Sequence, residues 1–374
     1  MPYTLFTSLI FFLTSLPLKA STTFEHFKKV DAPMLGKVIT DNASNICQLA
    51  QNTQTYIENF PEDTFAVKAG TVFEPQVTLE RVVRTLEFLC VTYHEDVKAQ
   101  RKSRLDDPHF LQQHFEFYRW NPDIKTAQNV AKKSTNATKT RMLNAIPSDK
   151  IFLTKYYTKL LKGSKVKTAT FNQALYALPF DEQGLTLEEA DTNLSLTRHT
   201  YTRQQVIDGV LERKQLAKPL IWLTEEALHD VLLQGTGVLD INGKRRYFNV
   251  HRNNGIAYDY AIGKREQSRY WYFSEVPNIM GYGKTQDSKI ELFPYVTFAG
   301  NVKELGLGKL FMVSYKTANQ RVSHMGILAD QGGAFDNNLF QLDFLVDSYF
   351  GWKDYHKANK HLPDYAQAWL MLVK

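Results

Sequence analysis

The chain has 374 residues, a length that favours two domains over one. Hydrophobic residues make up 43% and aromatic residues 13%, so the chain has ample material for a large core. The 45 Lys and Arg residues outnumber the 39 Asp and Glu residues, and the formal net charge of +6 favours an anionic polymer as partner. No predicted helix concentrates basic residues on one face and no zinc-ligand spacing occurs. We therefore expect no nucleic-acid partner, no metal and no other cofactor.

The first twenty residues have the character of a secretory signal peptide. An apolar run from Leu5 to Leu18 precedes a small residue, Ala20, after which we expect cleavage. The run is too short to span a membrane. No cysteine follows Ala20 to accept a lipid. The sequence therefore predicts a periplasmic monomer without a lipid anchor, in peripheral association with the cell envelope.

Helical patterns dominate the first part of the mature chain. Apolar residues recur at helical spacing over Asn45–Phe60, and Thr78 is placed to cap a second amphipathic helix. Asp107-Pro108 predicts the start of a third helix, whose apolar face would run to Tyr118. Cys47 and Cys90 fall at apolar positions of the first two helices. Two interpretations stay open for them, a disulfide or a pair of buried thiols.

Strand patterns dominate from Ile151 onwards, after a polar and basic segment over Asn121–Ser148 that we interpret as an exposed connector. A later helix ends at Gln234–Gly237, where two glycines allow the backbone to turn and to approach a ligand closely. Asn242-Gly243 is typical of a β-hairpin. The predicted fold class is α+β, mainly β with helices at the N-terminus.

Four acids lie among apolar, strand-like residues near the C-terminus, at Asp330, Asp336, Asp343 and Asp347. An isolated charge is costly to bury. Such an acid therefore faces solvent, has a partner, or has a raised pKa and a chemical task.

Six motifs carry a resemblance to a known family. They are L-T-K-Y-Y-T-K (Leu153–Lys159), L-L-Q-G-T-G (Leu232–Gly237), N-N-G-I-A-Y-D-Y-A-I-G (Asn253–Gly263), V-P-N-I-M-G-Y from Val276, A-D-Q-G-G-A-F from Ala329, and the terminal A-W-L-M-L-V-K. In order and spacing, the series resembles the membrane-bound lytic murein transglycosylase A family, whose C-terminal domain is named for three aspartates.

The resemblance implies a two-domain architecture. A double-psi β-barrel domain, with the N-terminal helices, would combine residues 21–158 with residues 277–374. A smaller, inserted β-barrel-like domain would occupy residues 159–276. A peptidoglycan glycan strand would lie in the groove between them.

The resemblance also implies an activity, the cleavage of the MurNAc–GlcNAc bond of peptidoglycan without water, which leaves anhydro-muramyl ends. One carboxylic acid would protonate the glycosidic oxygen and then, as a carboxylate, deprotonate a hydroxyl of the sugar itself. Such a group works best with a pKa raised towards neutrality.

By the family pattern D-x-[YF]-x-G, the catalytic acid would be Asp347, which begins Asp347-Ser348-Tyr349-Phe350-Gly351. Asp347 follows the turn residue Asp330 by 17 residues, and Asp343 follows it by 13, so Asp343 is the second candidate. The substrate-binding residues that the resemblance implies are Asp330, Thr154, Tyr156, Gln234 and Gly235.

Several positions depart from the family motifs. Lys155 replaces a glycine, Lys159 a proline, Leu232 a glutamine and Asp336-Asn337 a Lys-Gly pair. Because these positions were expected at the groove, an alternative is a protein of the same fold that binds peptidoglycan with weakened or no catalytic activity.

Overall fold

The computed structural model describes residues 25–40, 42–332, 335 and 337–374. The predicted signal peptide and Asp336 lie outside the described residues. The strands are β1 (Phe27–Val30), β2 (Lys37–Ile39), β3 (Phe115–Trp120), β4 (Ile151–Lys162), β5 (Gln173–Pro179), β6 (Ala217–Leu223), β7 (Thr236–Ile241), β8 (Lys244–Asn253), β9 (Trp271–Val276), β10 (Ile279–Met280), β11 (Glu291–Leu292), β12 (Thr297–Ala299), β13 (Leu310–Lys316), β14 (Arg321–Asp330), β15 (Gln341–Tyr349) and β16 (Tyr365–Val373).

The helices are α1 (Ala43–Asn59), α2 (Leu79–Lys98), α3 (Pro108–His114), α4 (Ile124–Lys133), α5 (Ala137–Asn144), α6 (Leu187–Thr192), α7 (Thr197–Thr200), α8 (Arg203–Ile207), α9 (Val210–Arg213), α10 (Glu225–Gln234), α11 (Val302–Leu305) and α12 (Trp352–Asn359). Among the described residues, no helix is long and apolar enough to cross a membrane.

A closed ring of strands forms the centre of the fold. Within the described part of the chain, the large sheet runs β16-β13-β14-β12-β15-β4, and β16 also pairs with β4, which closes the ring. The β12–β14 and β15–β4 pairings are parallel, whereas the β13–β14, β13–β16 and β12–β15 pairings are antiparallel. This mixed α and β architecture agrees with the predicted fold class, and the double-psi connectivity stays a prediction.

The strand β4 is long enough to pair with strands on both sides of the fold. Its residues from Phe152 to Lys159 pair with β15 in the ring, and its last residues, Leu160 to Lys162, pair with β7. The β7–β8–β9 strands continue from there. A second hydrophobic core, separate from that of the ring, is built from residues between Leu161 and Phe273. The exact limits of the predicted inserted domain stay a prediction.

Local signals explain the N-terminal helices, with one correction. Thr78 caps α2 by accepting a hydrogen bond from the backbone N–H of Arg81, as expected. The third predicted helix was wrong in its second half, because α3 ends at His114 and β3 begins at Phe115. These residues form a strand instead of a helix because β3 pairs on both sides, with β1 and β16, and buries its aromatic residues there. The segment interpreted as a connector also contains α4 and α5.

Cys47 of α1 and Cys90 of α2 form a disulfide, which decides between the two interpretations left open by the sequence. The bond closes a loop with a sequence separation of 43 residues. Closing such a loop lowers the conformational entropy of the unfolded chain. The bond therefore holds together the two helices that contact each other most extensively at the N-terminus.

Reduction of this disulfide is expected to lower the free energy of unfolding by roughly 4 kcal/mol, from the loop-closure entropy of the unfolded chain. Denaturant unfolding with and without a thiol reductant measures the change. The Cys47→Ser/Cys90→Ser double variant is the control, because reductant should not alter it further. An unchanged unfolding midpoint of the wild type in reductant would contradict the expectation.

Candidate active site

Strand register brings two acids to one face of the sheet. Ala299 on β12 pairs with Asp330 on β14 and with Asp343 on β15, and Asp343 pairs with Thr154 on β4. Residues paired directly across strands project to the same face. The two carboxyl groups therefore flank the methyl group of Ala299, with roughly 10 Å between their Cα atoms from two strand spacings.

A β-bulge is needed for this alignment. Phe298 pairs with Leu328, but the next residue, Ala299, pairs with Asp330, so that Ala329 is passed over. A bulge of this kind changes the face to which the following side chain points. Asp330 thereby replaces Ala329 as the neighbour of Ala299.

A cavity of about 370 Å³ opens beside this row of residues. Among the predicted site residues, the cavity walls contain Asp330, Asp343, Tyr156, Gln234 and Gly235. Its volume lies within the range usual for small-molecule and glycan subsites. The structure therefore brings together five of the seven residues that the sequence proposed.

Asp330 is held in place by two donors. The Tyr156 hydroxyl donates to Oδ2 at 3.0 Å, and the backbone N–H of Gln331 donates to Oδ1 at 2.8 Å. Burial raises the pKa of Asp330 to about 7, and the charge of Asp343 adds to the rise against these hydrogen bonds. Burial also raises the pKa of Tyr156 well above its usual value, so its hydroxyl keeps the proton that it donates.

Asp343 has the freer carboxyl group. Burial raises its pKa to about 6, opposed by the Thr154 hydroxyl and the charge of Lys155. Its Oδ1 atom is buried and has no hydrogen-bond partner among the described residues. Both acids thus have pKa values near neutrality, but only Asp343 has an oxygen atom that no protein group occupies.

Thr154 lies beside Asp343 without lining the cavity. Its hydroxyl accepts a hydrogen bond from Gln341 Nε2 at 2.7 Å and donates to the carbonyl of Leu342 at 3.2 Å. It lines a neighbouring apolar cavity of about 360 Å³. Its contacts indicate that it positions β15 and Asp343.

Asp347, the acid that the sequence favoured, is outside the cavity walls. Its side chain is 32% exposed, and its Oδ1 atom lies 2.7 Å from Arg245 Nη1 in an ion pair. In a regular strand Asp343 and Asp347 would share a face, because side chains alternate with a period of two. The register shift between Leu345 and Ser348 breaks this alternation, and Asp347 has a φ of 108° there.

Gln234 and Gly235 reach the cavity because α10 ends there. Gly235 caps the helix with a φ of 73°, a left-handed conformation that glycine adopts without strain. The Gln234 side chain accepts a hydrogen bond from the backbone N–H of Lys159 at 3.2 Å. These contacts fix the helix end against β4.

Sequence reasoning missed a cation in the cavity. Lys289 lines the walls with Asn249, and its Nζ atom donates to the Asn249 side-chain oxygen. Burial lowers the pKa of Lys289, and the charge of Asp330 opposes that fall. No motif marks Lys289, because it comes from an irregular segment between β10 and β11. No cluster of metal-ligating residues occurs within the described ranges.

The sequence of this chain was compared with protein families and with curated proteins. Residues 152–269 match the family model described as the MltA specific insert domain. No curated protein sequence matches the chain.

Solved structures share the fold over nearly the whole chain. A membrane-bound lytic murein transglycosylase from Agrobacterium tumefaciens is 14% identical, with a TM-score of 0.54 and coverage of 93% of this chain and 98% of that one. MltA from Neisseria gonorrhoeae is 13% identical, with a TM-score of 0.53 and coverage of 93% and 92%. E. coli MltA with bound chitohexaose is 13% identical, with a TM-score of 0.52 and coverage of 93% and 95%.

These findings confirm the resemblance first indicated by the order of motifs. Residues 152–269 are similar to the MltA specific insert domain, and the fold of the whole chain is similar to the folds of the MltA structures.

Proposed function

We propose that the protein is a lytic transglycosylase that cleaves the MurNAc–GlcNAc bond of peptidoglycan and leaves 1,6-anhydro-muramyl ends. The single observation that carries the proposal is the pair of acids, Asp330 and Asp343, in one cavity with pKa values raised to about 7 and about 6. The insert-domain match and the fold shared with lytic murein transglycosylases support this role in murein degradation. The bound chitohexaose of the E. coli relative supports a glycan ligand.

Asp343 is the proposed acid and base, in place of Asp347. Its neutral carboxyl donates a proton to the glycosidic oxygen as the bond from that oxygen to the anomeric carbon breaks. The resulting carboxylate then removes the proton of the C6 hydroxyl, whose oxygen bonds to the anomeric carbon. The proton is returned to Asp343, so neither water nor a second carboxylate nucleophile is required.

Asp330 acts as a positioning and substrate-binding group in this proposal. Two protein donors hold its oxygens, so it is less free than Asp343 to pass a proton. Below a pH of about 7 it is neutral, which keeps a second negative charge away from Asp343. Tyr156, Gln234 and Gly235, which also line the cavity, would contact the sugar.

The alternative of a catalytically inactive binding protein rested on departures from the family motifs. Lys155 points away from the cavity, where its Nζ atom donates to the Pro363 carbonyl at 3.1 Å. Lys159 pairs with Asp230, and Leu232 is buried in the second core. None of these three side chains lines the cavity, nor does Asn337, and Asp336 lies outside the described residues. The described positions therefore give this alternative no support.

The cellular location that we propose follows from the proposed substrate. Peptidoglycan lies outside the cytoplasmic membrane, so we propose that the protein acts in the periplasm as a monomer in peripheral contact with the envelope. The peptidoglycan glycan strand is the proposed partner. The signal peptide that this requires stays a prediction from the sequence.

Digestion of purified peptidoglycan, followed by mass analysis of the products, tests the proposed reaction. Anhydro-muramyl products are expected from the wild type. Reducing muramic ends would show a hydrolase instead. Co-sedimentation with peptidoglycan without soluble products would support the inactive binding protein.

Asp343→Asn is expected to lower kcat by roughly 10³-fold, because an amide cannot transfer the proton that general acid catalysis requires. Asp330→Asn is expected to cost roughly tenfold, because it retains part of the hydrogen bonding to Tyr156 and Gln331. Asp347→Asn is the matched control and should stay within about twofold of the wild type. Rates of release of anhydro-muropeptides measure all three. If Asp347→Asn is inactive and Asp343→Asn is active, the catalytic acid is Asp347, as the sequence predicted.

The pH dependence of kcat/KM should follow the protonation of Asp343. The free enzyme must carry a proton on Asp343, so kcat/KM should be level below a pH of about 6 and fall as the pH rises above it. An acid with the ordinary pKa of about 4 would instead lose activity from pH 4 upwards. A pH profile of kcat/KM on soluble glycan strands distinguishes the two, with circular dichroism to verify folding at each pH.

A further inference from the structure

A second cavity, of about 600 Å³, adjoins the candidate active site. Val250 and Lys289 belong to the walls of both cavities. The second cavity extends away from Asp343 between the β8–β9 strands and the segment around Lys284. It is larger than the active-site cavity, and the proposed proton transfer makes no use of it.

The charged side chains that line this cavity carry a net positive charge, although Lys284 also forms long ion pairs with Glu62 and Asp63 outside the lining. Arg252 is paired with Glu182, with Nη1 and Oε1 at 2.9 Å, so this pair contributes little net charge. Of the other charged side chains in the lining, Lys284 and Lys289 are positive and Asp287 is negative. Burial lowers the pKa of His251, so its ring is neutral near pH 7.

Lys284 is the cation best placed to meet a ligand. Its side chain is 44% exposed, and its Nζ atom is 3.8 Å from Glu62 and 3.9 Å from Asp63, beyond hydrogen-bond distance. Asp63 is already satisfied by the hydroxyl groups of Tyr56 at 2.7 Å and Tyr282 at 2.9 Å. The ammonium group of Lys284 therefore has donors available for an incoming carboxylate.

The cavity also offers an apolar wall. Leu178, Val250 and Trp271 supply apolar surface. Arg269 fixes the Trp271 ring by a cation–π contact at 4.5 Å. A cation beside an apolar wall suits a short peptide that carries carboxylates.

We propose that this second cavity binds the peptide stem attached to the muramic acid in the active site, an inference that rests on the proposed function. The stem leaves the same sugar whose glycosidic bond would lie at Asp343, and the two cavities share a wall. Its carboxylates would meet Lys284, and its apolar groups would pack against Leu178, Val250 and Trp271. The site therefore selects glycan strands that retain their stems.

The test compares glycan strands that carry stems with the same strands stripped of stems by an amidase. The wild type should have a kcat/KM roughly tenfold higher on strands with stems, the size of one charge-assisted hydrogen bond. In Lys284→Ala this ratio should fall towards one, and Lys284→Arg should retain it. Lys303→Ala, an exposed lysine outside both cavities, is the matched control and should keep the wild-type ratio.

Equal kcat/KM values on the two substrates in the wild type, or an unchanged ratio in Lys284→Ala, would overturn the stem site and leave the proposed function intact. If neither strand is cleaved, the proposed function fails. Calorimetric titration of released stem peptide into the wild type and Lys284→Ala then decides the stem site by itself. Binding that Lys284→Ala weakens roughly tenfold supports the site, and absent or equal binding overturns it.

Discussion

The candidate site depends on the register of four neighbouring strands. Asp330, Ala299, Asp343 and Thr154 lie in one row because β12 pairs in parallel with β14 and antiparallel with β15, and β15 pairs in parallel with β4. A shift of one residue in any pairing would turn a carboxyl group to the other face. The closed ring of strands fixes that register, and the small Ala299 leaves space between the acids.

Desolvation raises the pKa values of the two carboxyl groups in this row. Both acids are partly buried in the cavity wall, where the charged form loses hydration, and burial is the largest cause of each raised pKa. The partners then separate the roles, since Tyr156 and Gln331 hold Asp330 while Asp343 retains an unoccupied oxygen. In the proposed mechanism, two chemically identical side chains would acquire different tasks from their surroundings, as paired catalytic carboxyl groups commonly do.

Much of the fold was predictable from local signals, because helix periodicity and capping act over a few residues. The helices around Ile46 and Leu86 followed from their apolar spacing, and the order of motifs predicted the similarity to the MltA insert domain. The end of α3 and the choice between Asp343 and Asp347 were harder, because both depend on contacts between distant strands. In particular, the register shift between Leu345 and Ser348 removes Asp347 from the row, and a bulge has no clear sequence signal.

The central claim is that burial raises the pKa of Asp343 to about 6. A carbon-13 NMR titration of the aspartate carboxyl groups, with Asp343→Asn to assign the resonance, measures this directly on the whole protein. The account predicts a midpoint at a pH of about 6 for Asp343. A midpoint near 4, the ordinary value for aspartate, would contradict it.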